Sequence, residues 1–110
     1  MQTLIQIICK EKTNSLLTVF RENSKAETFP FKRIGKKIGP TGKTNWEKFK
    51  STSVEGGLQI YWEKELYILN IRITNNGEGR PFEAVGILIE YFLGKHTDKI
   101  KSINTSIINM

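Results

Sequence analysis

Seven basic side chains are concentrated in one glycine-rich part of the sequence, residues 31–50, called here the basic segment. Its one acid is Glu47, so the segment has a net charge of +6, equal to the formal charge of the whole chain. Concentrated positive charge attracts polyanions, because neutralising phosphates releases their counterions. The residues predicted to contact phosphate here are Lys32, Arg33, Lys36, Lys37, Lys43, Lys48 and Lys50. The competing interpretation is a solvated surface with no ligand.

Aromatic side chains accompany these cations, and single-stranded nucleic acids are held by combining positive tracks with stacking surfaces. The predicted stacking residues are Trp46, Tyr61 and Tyr67. Arg72 lies on a mostly apolar strand, where a guanidinium needs an anionic partner. That partner is either a carboxylate, such as Glu55 or Glu90, or a bound phosphate, so Arg72 joins the predicted phosphate contacts.

The segment from Gly39 to Thr44, GPTGKT, partly matches a phosphate-binding loop. The full pattern needs a glycine five positions before Gly42, where this chain has Lys37. It also needs a buried strand before the loop and a helix after it, and a basic segment precedes it here. We therefore expect no ATP hydrolysis, although Lys43 and backbone N–H groups can still contact a phosphate.

The residue types that carry most enzyme chemistry are scarce in this chain. Cys9 is the only cysteine and His96 the only histidine, which is too few for a zinc site or an activated nucleophile. Cys9 is expected to be a small buried hydrophobe, and His96 a cation near a helix C-terminus. The sequence thus predicts a protein that is not an enzyme, with no catalytic residue, metal or other cofactor.

Length and composition favour one folded domain spanning residues 1–110. The pI near 9.6 is typical of nucleic-acid-binding domains, among others. The apolar N-terminal run has no basic residues before it and is too short to cross a membrane. With no possible intrachain disulfide, we expect a cytoplasmic protein, in the host cell if it is viral.

Apolar periodicity predicts an α+β fold, with a mainly antiparallel sheet of about five strands across residues 3–74. The predicted strands are Leu4–Cys9, Ser15–Arg21, Ala26–Ile34, Leu58–Trp62 and Leu66–Thr74. Residues 35–53 are predicted to be a basic Gly/Lys loop. A three-residue turn, 63–65, would place Tyr61 and Tyr67 on one face of the last hairpin.

Two C-terminal helices are predicted, a long one over residues 81–94 and a shorter one over 97–108. Phe82, Val85, Ile89 and Phe92 are expected to face the sheet. A terminal strand over 97–108 is the alternative, because Ile, Thr and Ser are weak helix formers.

The C-terminal third has more apolar surface than one core uses, which predicts a homo-oligomer, most simply a dimer. The predicted interface residues are Ile87, Tyr91, Ile100, Ile103 and Ile107. Together these patterns favour a binding protein for a phosphate-bearing ligand, first single-stranded DNA or RNA and second a small nucleotide. The alternative is a protein-interaction module, such as a small phage-type inhibitor, docking through its basic loop or its apolar C-terminus.

Overall fold

The computed structural model describes residues 2–38, 45–51, 57–74 and 81–108. Within these ranges the chain forms six strands and two α-helices, so the predicted α+β class is confirmed. The elements are β1 (Gln2–Cys9), α1 (Leu16–Asn23), β2 (Phe31–Ile38), β3 (Asn45–Ser51), β4 (Gly57–Glu63), β5 (Ile68–Thr74), α2 (Pro81–His96) and β6 (Ile100–Ile108). None of the helices in these ranges is long and apolar enough to cross a lipid bilayer.

The strands form one sheet in the order β2-β3-β4-β5-β1-β6, and every neighbouring pair is antiparallel. The first strand is therefore an inner strand, and it pairs with the last strand, β6, which forms one edge of the sheet. The other edge is β2, an edge position that suits the missing N–H of the nearby Pro30. The strand predicted over Ala26–Ile34 begins only at Phe31, directly after that proline, so its predicted start was wrong.

Both helices pack on one face of the sheet, called the helix face, which holds the hydrophobic core. Alternate residues of the central strands are fully buried there, among them Ile5, Ile7, Leu58, Ile60, Leu69 and Ile71. Phe20 of α1 lies at the centre, with its ring centroid 4.9 Å from that of Phe49 and 6.0 Å from that of Phe92. Edge-to-face and stacked rings at these distances stabilise the core beyond the apolar area that they bury.

The prediction of a strand over Ser15–Arg21 was wrong, because these residues form most of α1. Ser15 caps the helix, since its hydroxyl accepts a hydrogen bond from the Thr18 N–H at 3.3 Å. Leu16, Leu17 and Phe20 are buried at helical spacing on one side. The apolar run therefore reflected one buried helix stripe, and not a two-residue alternation.

The prediction of a shorter C-terminal helix over residues 97–108 was also wrong, and the strand alternative is correct. A 3₁₀ turn at Thr97–Lys99 ends α2, and β6 then pairs with β1 from Ile100 to Ile108. The pairing satisfies the backbone of a segment whose Ile, Thr and Ser residues favour strands.

The loop predicted over residues 35–53 contains two stretches of strand. β2 runs through a bulge between Arg33 and Gly35, where Gly35 has a φ of 153°, and continues to Ile38. A glycine adopts such an angle without steric cost, so the strand continues through Gly35, where the sequence had suggested that it ends. β3 follows at Asn45–Ser51, while residues 39–44 lie outside the described ranges.

α2 was predicted well, although it extends two residues further, to His96. Phe92 is fully buried against the sheet as expected, while Val85 and Ile89 are only half-buried. The most buried positions are instead Ala84, Leu88 and Phe92, so the inward stripe is rotated from the predicted one. The side chain of Phe82 lies outside the described set.

Candidate binding face of the sheet

The face of the sheet opposite the helices, called the open face, carries polar and aromatic side chains. Strand alternation sends Leu58 and Ile60 to the helix face, and sends Gln59 and Tyr61 to the open face. In the described residues both α1 and α2 pack on the helix face. The open face includes Trp46, Lys48 and Lys50 of β3, Gln59 and Tyr61 of β4, Asn70 and Arg72 of β5, Leu4 and Gln6 of β1, and Asn104 and Ser106 of β6.

One cross-strand row of this face, the central row, joins two aromatic rings to three amides. Its order across the six strands is Lys37, Trp46, Tyr61, Asn70, Gln6 and Asn104. The Trp46 and Tyr61 ring centroids are 5.6 Å apart. At about 4.8 Å per strand the row spans about 24 Å. Residues from six separate strands of the chain are thus aligned in one line.

Trp46 is also contacted from the next row by Arg72, whose guanidinium carbon lies 4.3 Å from the indole centroid. Arg72 Nη1 donates a hydrogen bond to Gln59 Oε1 at 3.3 Å. Within the described ranges no carboxylate pairs with Arg72, and Glu90 lies on α2 beyond the helix face. The cation–π contact orients the guanidinium but leaves its positive charge available to an anion.

Lys48 and Lys50 add two cations to the open face. Lys50 is exposed and Lys48 is half-buried, and both lie on β3 beside Trp46. Lys32 is opposite Lys50, but its ammonium donates hydrogen bonds to the backbone oxygens of Ser24 and Ala26 after α1. Lys32 is therefore directed around the sheet edge, away from the aromatic rings.

The other predicted lysines are not shown to point toward the aromatic rings of the open face. Lys36 is exposed and pairs in register with Glu47, which puts it on the opposite side of β2 from the open face. Lys37 is level with Trp46 in the backbone register, and its side chain is outside the described set. Lys43 is outside the described ranges.

Arg33 lies on the helix face, where it forms part of a charged cluster around Glu47. Glu47 is buried, with 5% of its surface exposed, and its carboxylate accepts hydrogen bonds from Arg21 Nε at 3.0 Å and Arg33 Nε at 3.3 Å. Burial alone would raise the pKa of Glu47, but the hydrogen bonds and charges of both arginines hold it below its ordinary value of 4.5. Arg33 is therefore held beside Glu47 on the helix-face side and does not join the open face.

We expect Glu47→Gln to destabilise the protein at neutral pH by about 1–2 kcal/mol, a value reduced because the arginines are partly exposed. A carboxyl with a lowered folded-state pKa contributes stability above its unfolded value, 4.5, and loses it as the pH falls through the folded value. The difference between variant and wild type, measured by urea unfolding, should therefore shrink between pH 7 and pH 3. Equal stabilities at pH 7 would contradict this role.

Tyr67 does not join the other two aromatic residues. The turn between β4 and β5 contains four residues, 64–67, and Tyr67 has a left-handed φ of 57°. Its ring packs against the core, and its backbone oxygen accepts a hydrogen bond from the Cys9 N–H at 2.9 Å. One extra turn residue shifts the register, so Tyr61 shares its face with Asn70 and Arg72 instead.

The predicted oligomer residues divide into two groups. Ile87, Tyr91, Ile100 and Ile103 are half-buried against the core of their own chain. The Tyr91 ring lies 5.8 Å from that of Phe20, and its hydroxyl bonds Asn23. Ile107 is different, because 54% of it is exposed, as is 47% of Leu93 on α2. Leu93 borders a groove of about 390 Å³ between α2 and β6, which Lys101 and Ile103 of β6 also line.

Cys9 and His96 are both buried, as the sequence predicted for Cys9 alone. Burial raises the pKa of the Cys9 thiol, which therefore stays protonated. Burial, followed by the nearby Lys99 charge, lowers the pKa of His96 below its ordinary value of 6.5. The His96 ring lies beside the Tyr91 hydroxyl, at 3.3 Å, and the lowered pKa disfavours the cation that the sequence predicted at the helix end.

Sequence reasoning missed the amides of the open face. Gln6 Nε2 donates a hydrogen bond to Asn70 Oδ1 at 3.1 Å, and Asn104 flanks Gln6 on β6. The signal was present, because Gln6 and Asn70 each interrupt an apolar strand at a position that alternates with buried residues. Such an interruption marks a polar side chain on the face opposite the core.

Comparison with protein-family models, with curated protein sequences and with solved structures finds no match for this chain. Its function is therefore inferred from the chemistry of the open face.

Proposed function

We propose that this chain is a non-enzymatic protein that binds single-stranded nucleic acid across the open face of its sheet. The observation that carries the proposal is the grouping of Trp46 and Tyr61, with ring centroids 5.6 Å apart, beside the cations Lys48, Lys50 and Arg72. Aromatic rings stack on the bases while cations neutralise the phosphates, and every base has a face to stack.

A single strand fits this face better than a duplex or a small nucleotide does. The aromatic rings lie in the interior of the sheet, on β3 and β4, so bases must be splayed out to reach them. Paired bases in a duplex are stacked on each other and present only their edges, whereas unpaired bases expose their faces. The central row crosses six strands, which is much longer than one nucleotide, so the nucleotide is the second candidate ligand.

The proposed phosphate contacts are fewer than the sequence suggested. Lys48, Lys50 and Arg72 lie on the open face, and Lys37 is level with the central row. Lys32, Lys36 and Lys43 remain predicted contacts for the flanks of a bound strand. Arg33 is left out because its guanidinium bonds Glu47.

Charge reversal tests this proposal. We expect Lys48→Glu with Lys50→Glu to weaken binding of a labelled 12-nucleotide single strand at least tenfold in fluorescence anisotropy. Each lost phosphate contact should also reduce the magnitude of the salt slope by about 0.7. The matched control reverses Lys25, which directly follows α1, and Lys95 of α2, both exposed and next to the helices, so that both variants carry the same net charge. Equal affinities and slopes in the two variants would contradict a binding site on β3.

We also propose that two copies pair through β6. This strand is at one edge of the sheet in the described residues, and edge strands have backbone groups that can pair with another chain. An antiparallel pair centred on Asn104 places Ile107 opposite the partner's Lys101, at the groove that Leu93 borders. The two Lys101 side chains stay far apart, so the contact buries apolar groups without opposing like charges.

The dimer is tested by sedimentation equilibrium at tens of micromolar. We expect the 12.6 kDa chain to sediment as a dimer, and Leu93→Lys with Ile107→Lys to give a monomer. Both positions are exposed, so the fold should persist, which circular dichroism checks. The control is Leu66→Lys, at a leucine that is also exposed, in the turn between β4 and β5. A monomeric wild-type protein would refute the pairing.

A further inference from the structure

The open face carries three types of side chain that read nucleobases, and they differ in their position relative to the stacking rings. Carboxylates accept from cytosine, arginines pair with guanine, and Asn or Gln amides pair with adenine. The Glu63 carboxylate has both oxygens engaged, because Oε2 accepts from the Tyr61 hydroxyl at 3.1 Å and Oε1 from the Glu65 N–H at 3.3 Å. Arg72 is held over the Trp46 ring and bonds Gln59.

The amides of the central row are the base-reading groups that lie beside Tyr61 across the neighbouring strands. Asn70, Gln6 and Asn104 lie on three adjacent strands, directly beyond Tyr61 in the same row. The bond from Gln6 Nε2 to Asn70 Oδ1 orients both amides and uses one donor and one acceptor position. An amide has two N–H donors and an oxygen with two acceptor positions, so each of these amides keeps a donor and an acceptor.

We propose that this amide row selects adenine next to the stacking site. This inference rests on the proposed nucleic-acid binding and specifies the base. Asn70 pairs with Tyr61 in the β4–β5 register, so its amide lies at the edge of a base stacked on that ring. Adenine presents an adjacent donor and acceptor, N6 and N7, which one amide satisfies with two hydrogen bonds. Guanine presents two acceptors, N7 and O6, on the same edge. An amide can donate an N–H to one of them, but its oxygen then faces the other acceptor and forms no hydrogen bond.

The size of a purine supports the same choice. Neighbouring strands are about 4.8 Å apart, so a base centred on the Tyr61 ring must extend about that far to meet Asn70. A two-ring base covers the aromatic residue and reaches the amide at once. A one-ring base that stacks centrally on Tyr61 contacts the amide less closely. The row thus combines a stacking surface, which tolerates every base, with an amide edge that does not.

The experiment compares four labelled single strands, each a thymidine 12-mer whose central two bases are A, G, C or T. Wild-type protein should bind the A-containing strand about 5- to 150-fold more tightly than the others, the range of one bidentate amide–base pair. Replacing Gln6 by methionine together with Asn70 by leucine removes both partners of the amide pair and leaves no unpaired polar group. This variant should bind all four strands alike, with the affinity of wild type for the T strand.

The matched control is Asn14→Leu, which removes an exposed amide between β1 and α1, and it should keep the adenine preference. Thermal unfolding followed by circular dichroism verifies that both variants fold. Equal binding of the four strands by wild type overturns the adenine inference and leaves the proposed function standing. An adenine preference that the double variant retains has the same two consequences. Wild-type protein that binds none of the four strands overturns the proposed function and this inference with it.

Discussion

Replacing Trp46 by alanine is expected to weaken single-strand binding by about tenfold to a hundredfold while the protein stays folded. Base–aromatic stacking contributes about 1–3 kcal/mol per base, and Trp46 is the larger of the two rings in the central row. The substitution also removes the ring that holds Arg72, 4.3 Å away, so a phosphate contact loses its orientation. Trp46 is half-buried on the open face and does not belong to the hydrophobic core cluster, so the core should be little affected.

The second tryptophan of the chain provides the control for this experiment. Trp62 packs against the core on the helix face, so Trp62→Phe should retain full binding. That variant leaves Trp46 as the sole tryptophan, and its fluorescence should be quenched when a base stacks on the indole. Binding unchanged by Trp46→Ala, or Trp46 fluorescence unchanged at saturating oligonucleotide, would contradict a binding site at this ring.

Replacing Phe20 by alanine is expected to cost about 3–5 kcal/mol of stability, a large part of the 5–15 kcal/mol that a typical domain has. Phe20 is fully buried, and its ring contacts five other aromatic rings, from Phe29, Phe31, Phe49, Tyr91 and Phe92. These rings come from the segment before β2 and from β2, β3 and α2, so the cavity would weaken the packing of α1 on both the sheet and α2.

Urea unfolding of this variant measures the cost directly, or shows that no cooperative transition remains at 25 °C. Val19→Ala, at a half-buried position of the same helix, controls for the change in helix propensity. A loss below about 1 kcal/mol for Phe20→Ala would mean that the core collapses around the cavity and that Phe20 is not its centre.

The parts of the fold that the sequence predicted are those with strong local patterns. β4, β5 and α2 each combine a long apolar repeat with a clear start or stop, such as Pro81 at the beginning of α2. α1 was missed because it has only eight residues, and its leucine-rich, Val-containing run matches strand and helix alike. β6 was settled by its partner, β1, which is nearly a hundred residues away and invisible to local propensity.

The candidate site was predicted in its residue types more than in its arrangement. Trp46, Tyr61 and Arg72 were named from the sequence, and the structure brings them together. Tyr67 and Arg33 were named too, but both lie on the core side of the sheet. The longer turn places Tyr67 there, and Arg33 lies there because it bonds the Glu47 carboxylate. The face of the sheet on which a strand residue lies depends on the length of the preceding turn, which composition does not determine.

The position of β6 at the sheet edge has a consequence for the direction in which a nucleic-acid strand can cross the proposed dimer. If two copies pair there about Asn104, both open faces lie on the same side, and the two central rows meet end to end. A strand crossing the pair would meet rings then amides in one copy, and amides then rings in the other. Nucleic acid has a 5′ and a 3′ end, so one straight strand cannot present the same chemistry to both halves. Two segments of opposite polarity can, as in the separated arms of an opened duplex.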